Sequence, residues 1–173
     1  MNESKNVGAA YIAESRKRLA ACKERIYHCV NQLTDEQLWW RPKPEMNSIA
    51  NLLLHLAGNI TQHIIAPITS APDRRDRPKE FSERGPMPKS EVMRRFDAVI
   101  AEADAAFAGM KESLLLEGRR IQGSDTTILA ATFNSLVHLG GHMQEIIGMT
   151  RQQLGERYKF AWAPKTPEEG AAR

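Results

Sequence analysis

The nine prolines of this chain fix where long helices can form. They stand at positions 42, 44, 67, 72, 78, 86, 88, 164 and 167. Proline lacks the amide proton that a helix interior needs, and its ring clashes with the preceding turn. Long helices are therefore confined to three gaps, the stretch before 42, 45–66 and 89–163. Gly118 and Gly123 divide the last gap in two.

Apolar spacing within the gaps predicts four long helices. The first spans about 8–33, with Ile12, Leu19, Cys22, Ile26, Cys29 and Leu33 recurring on one seam. Thr34-Asp-Glu-Gln37 reads as a capping box opening a short turn that carries Leu38, Trp39 and Trp40. The second helix starts from Asn47 or Ser48 and stops at Pro67. Its stripe is Ile49, Leu52, Leu53, Leu56, Ile60 and Ile64. The third follows an N-cap at Ser90, with Phe96, Ile100, Ala103, Phe107, Met110 and Leu114 spaced three and four apart. The fourth runs from about 126 to 155 after a cap at Ser124 or Asp125. Its first turns are apolar nearly all round, which predicts a buried helix. A short extended piece is expected near 116–121.

The expected fold is all-α, a four-helix bundle with a long connection, residues 67–88, between helices two and three. That connection mixes five prolines with charges of both signs and reads as a solvated crossing more than as a lid or anion loop. One domain over 1–156 is expected, followed by an extended tail over 157–173.

Composition narrows the function classes. Hydrophobic residues make up 42% and charged residues 26%, with a net charge of +3. So mild a charge, with acids and bases interspersed, argues against nucleic acid or an anionic membrane as partner. No apolar run approaches the ~20 residues needed to span a bilayer, and the first residues lack the apolar core of a signal peptide. A cytoplasmic protein is expected. Cys22 and Cys29, ~10 Å apart along one helix, cannot form a disulfide with each other.

The chemistry centres on histidine. His138-Leu-Gly-Gly-His142 places two imidazoles one helical turn apart, a spacing that can hold one metal ion. Gly140 and Gly141 each cost ~1 kcal/mol relative to alanine in a helix interior, so something should approach closely there. A third ligand could come from helix two. His63 lies near its apolar stripe. His55 lies away from it, beside Asn59 and Gln62, and periodicity alone makes it a rim residue. Spacing ranks the two level.

The segments Leu38-Trp-Trp-Arg-Pro42 and Asn47-Ser-Ile-Ala-Asn-Leu-Leu-Leu-His55-Leu-Ala-Gly-Asn59, and then His138-x-x-x-His142, together resemble the DinB-like family of bacterial metalloenzymes. The resemblance extends from helix one to about Gly155. It implies a four-helix bundle holding a divalent metal on His55, His138 and His142. It also implies a homodimer, so that the Leu53-centred stripe would partly be a second interface. The reactions it implies include transfer of low-molecular-weight thiols, and some hydrolysis or isomerisation.

Three imidazoles leave a coordination position open, as catalytic zinc sites do and closed structural sites do not. Zinc or nickel suits the donor set best, with iron, cobalt or manganese as alternatives. The expected function is a metal-dependent transferase or hydrolase acting on a small molecule. A non-catalytic metal-binding or interaction bundle is the alternative. Asn59, Asn134, Gln144 and Glu145 are candidates to support the ligands from behind. Trp39 and Trp40 are expected to anchor the short turn to the bundle.

Overall fold

All three proline-free gaps are dominated by helix in the computed structural model, which describes residues 6–161. Helix α1 (Val7–Val30) opens on Asn6, whose side chain accepts from the amides of Gly8 and Ala9. Helix α2 (Asp35–Trp39) carries the expected Thr34–Gln37 capping box. Helix α3 (Ile49–Ile60) has a second one, in which Ser48 and Asn51 each accept from the other's amide. Short helices α4 (Ala66–Thr69) and α5 (Arg77–Ser82) precede α6 (Lys89–Gly109). A hairpin of β1 (Gly118–Ile121) and β2 (Ser124–Thr127) leads into α7 (Ile128–Leu154).

Helices α1 and α3 each pack against both α6 and α7. The four apolar seams meet in one core, which includes Leu19, Cys22 and Ile26 of α1 and Leu52, Leu53 and Leu56 of α3. Phe96 and Phe107 of α6 and Leu139 and Ile146 of α7 complete the core. Burying each large apolar side chain contributes about 1.5–3 kcal/mol. Both cysteines are free and buried, and burial pushes both thiols above their ordinary pKa. Among the described residues no helix is long and apolar enough to cross a membrane.

Several boundaries differ from the sequence expectations, each for a tertiary reason. Pro67 does not end the second helical arm. Thr61–Ile65 form one wider turn, in which the Ala66 amide reaches back five residues to the Thr61 carbonyl. Pro67 then sits in the first turn of α4, where no amide proton is needed. Ser90 is not an N-cap. Helix α6 starts at Lys89, whose amide donates at 3.1 Å to Asp35 of α2. It also ends earlier than its periodicity suggests. Met110 caps it, and Leu114 belongs to a separate 3₁₀ turn, Glu112–Leu116.

Ser124 and Asp125 do not cap α7; they lie in β2. Gln122 and Gly123 both take positive φ, the turn that matches the twist of a two-residue hairpin. Thr127 caps α7 instead, accepting from the Ala130 amide. Helix α7 is not buried all round, because Leu129, Phe133 and Val137 form an exposed stripe. Beyond α7, Tyr158 packs on the core and Lys159 is held on both its backbone groups by Gln32. Most of the expected tail, from residue 162 on, lies outside the described residues.

Candidate metal centre

The capping box at Ser48 starts α3 so that Asn51, His55, Gly58 and Gln62 follow one another along one flank of the helical arm. Sequence periodicity makes this flank a rim. The structure buries it, and His55 is only 5% exposed. The segment between Thr69 and Lys89 supplies the cover. Helix α5 lies over α3, its Phe81 ring 4.8 Å from the His55 ring. Asn51 donates to the carbonyls of Glu80 and Glu83, and Arg41 bonds both Asn51 and Glu83. The Leu53-centred stripe is likewise buried within the chain, so His55 needs no second interface to explain it.

On the other side stands α7, whose i, i+4 spacing presents His138 and His142 together. Their ring centroids lie 4.4 Å apart, and 5.0 and 5.3 Å from that of His55. One nitrogen of each histidine falls within 4.8 Å of one from the other two. His55 Nε2 and His138 Nε2 are 2.8 Å apart, a distance at which two ring nitrogens share a proton or a cation. His63 is outside this group, so the fold brings together His55 and not His63 with the α7 pair.

The back of the site is built from carboxylates. His55 Nδ1 lies 2.9 Å from Glu80 Oε2, and His142 Nδ1 lies 2.7 Å from Glu145 Oε2. A carboxylate accepts only, so each Nδ1 carries the proton and each Nε2 is left with a lone pair toward the centre. This is the carboxylate–histidine arrangement that orients metal ligands. Arg75 clamps Glu80 with two bonds, Nε to Oε1 at 2.6 Å and Nη2 to Oε2 at 2.8 Å. Its remaining arm donates to Gln62 at 2.8 Å.

Burial alone would raise the Glu80 carboxyl, but the bonds and charges of Arg75 and His55 outweigh it and hold Glu80 below the usual carboxylate range. His138 is lowered as well, with burial now the leading cause. Burial, then the neighbouring His142, His55 and Arg75, lower it to about 4, so it is neutral at physiological pH, the form that ligates metals.

Gly58 is fitted to this arrangement. A Cβ there would lie 1.9 Å from Glu80 Oε1 and 2.9 Å from Arg75 Nε. At Gly140 it would meet only the tip of the exposed Arg18 side chain, at 2.5 Å, and at Gly141 nothing within 4 Å. The close approach that the glycine pair suggests is thus made by Arg18 at Gly140 alone.

Of the candidate supporting residues, Glu145 bonds a histidine, while Asn59 instead accepts from Ser135 at 2.7 Å. Asn134 and Gln144 are exposed. Sequence reasoning misses Arg75 and Glu80, since mixed charges around prolines read as solvated chain. One legible signal was Asp76-Arg77-Pro78, a capping residue followed by proline, which starts α5 within that connection.

The three imidazoles, with no carboxylate among them and an opening on the half-exposed α7 side, fit a divalent ion that keeps a position free. A family model described as "Protein of unknown function (DUF1572)" matches residues 6–166. A search of the curated proteins finds no match to the chain.

Proposed function

We propose that this chain, which belongs to the DUF1572 family, is a metal-dependent enzyme of the DinB-like type. The fold reading is a four-helix bundle in which residues 67–88 form the long connection. The reaction class is transfer of a small thiol, or hydrolysis. The observation that carries this is the His55, His138 and His142 cluster, in which two ligands are oriented from behind by Glu80 and Glu145.

His55, His138 and His142 would hold a divalent ion, zinc or nickel best matching the donors, which would supply Lewis acidity toward a water or thiol. The chain's residues do the rest. Glu80 and Glu145 fix the ring tautomers and keep both Nε2 lone pairs aimed at one point. Arg75 holds Glu80 charged and immobile. Phe81 excludes water from the buried side, so a small-molecule substrate enters past His138 and His142. The exposed Leu129, Phe133 and Val137 stripe favours a homodimer with its contact on α7.

Metal content of the purified chain, by mass spectrometry, tests the reading. One equivalent of a divalent metal is expected, lost in His55→Ala and His138→Ala and kept in His63→Ala. A metal-free protein that takes up no zinc or nickel, or a loss seen only in His63→Ala, overturns it. Stoichiometric metal without turnover of water- or thiol-dependent test substrates would favour the non-catalytic bundle.

A further inference from the structure

A cavity of about 450 Å³ lies between α3, α6 and the connection, within the size range of small-molecule sites. Arg75 and Glu80 form part of its wall, while none of the three clustered histidines lines it. The buried ion pair therefore separates this space from the metal centre. Leu54, Met87 and Val99 give it an apolar floor, each only half-buried by the fold.

The charges at its mouth are unequally matched. Arg75 is paired with Glu80, and Arg95 lies 2.7 Å from Glu91, a carboxylate it shares with Arg94. Asp76 caps α5, and the Glu83 carboxylate accepts from the amides of Arg84 and Gly85. Arg74 and Lys79 line the cavity, are exposed, and make no ion pair among the described residues.

We infer that this cavity binds a small amphipathic carboxylate, with its head group on Arg74 and Lys79 and its apolar chain on the floor of Leu54, Met87 and Val99. The apolar floor excludes a purely polar anion. The nearby Asp76 and Glu83 disfavour a dianion such as phosphate, which would face two carboxylates at close range. A single negative charge with an apolar tail satisfies both halves of the site. The proposal does not depend on the histidines holding metal.

Calorimetric titration of the full chain with octanoate tests it, in EDTA-treated and in zinc-supplemented protein. Saturable one-to-one binding at millimolar concentration or tighter is expected in both, with octylammonium about tenfold weaker or worse. The double variant Arg74→Glu, Lys79→Glu changes two exposed side chains and should keep its melting temperature while losing about tenfold or more in octanoate affinity. Ala57→Leu, which intrudes on the cavity, should abolish binding. Equal affinity for octylammonium, or full affinity in the double variant, overturns the proposal. So does binding seen only with zinc, which would place the carboxylate on the metal. Loss of binding in Phe133→Ser would assign it to the α7 stripe and overturn the proposal as well.

Discussion

Replacing Gly58 with alanine sets two effects against each other. In a helix interior alanine is better than glycine by about 1 kcal/mol, and the substitution also stiffens the unfolded chain. Against this, the new methyl would sit 1.9 Å from Glu80 Oε1. Relief to ordinary contact requires a retreat of about 1.5 Å by the carboxylate. Glu80 is a flexible side chain, but both its oxygens are held, by Arg75 at 2.6 and 2.8 Å and by His55 at 2.9 Å. Such a retreat breaks at least one charge-assisted bond in a buried setting and strains the others. Each is worth about 1.5–3 kcal/mol. With one or two lost and 1 kcal/mol regained, Gly58→Ala should destabilise the chain by about 0.5–5 kcal/mol, at a few degrees in melting temperature per kcal/mol. It should also weaken metal affinity by about 10–100-fold, the usual effect of releasing a ligand's supporting carboxylate. Urea unfolding and a competitive zinc titration read the two effects separately. An alanine variant that is more stable than the parent and holds zinc equally well would refute the reasoning.

The same substitution at Gly141 should have the opposite sign. Nothing lies within 4 Å of its added methyl, so Gly141→Ala should stabilise by about 0.5–1 kcal/mol with metal content unchanged; a lower melting temperature would show that α7 has a neighbour there. Asn51→Ala removes the anchor that bonds the Glu80 and Glu83 carbonyls and Arg41. A loss of about 2–4 kcal/mol is expected, with faster hydrogen exchange in 77–83, and unchanged exchange there would count against the anchor. Burial and its bond to Asp97 push the Tyr27 phenol up to about 12. A raised value means the neutral form is favoured by folding, so this contribution is complete below the ordinary value near 10 and is lost as pH rises toward 12. The stability gap between the parent chain and Tyr27→Phe, measured by urea unfolding, should be constant from pH 7 to 9.5 and close above that; a gap that widens above pH 10 would contradict it.

Local chemistry made much of this molecule legible before any coordinates. Proline exclusion and apolar spacing act within one helix, so the four long helical arms, the Thr34–Gln37 capping box and the i, i+4 pairing of His138 with His142 follow from near neighbours in the chain. Even the reduced state of Cys22 and Cys29 follows from their separation along α1. What sequence could not decide is which helix flank is covered, because that depends on where a distant segment lands. Periodicity puts His55 on a rim, and nothing near it in the chain indicates that α5 will be laid across that rim and pinned by Asn51 and Arg41. The resemblance to DinB-like proteins favoured His55 without giving a physical reason. The structure provides one, since Glu80 and Arg75 reach His55 from 25 and 20 residues away, through charges that look solvated in one dimension. Gly58 belongs to the same class, unremarkable in a helix until the side chain that crosses it is known. Helix-forming tendency is a property of neighbours, whereas burial of a flank and the partner of a charge are properties of the packed chain. For that reason the helices could be read from sequence, while the wall behind the histidine cluster came only with the fold.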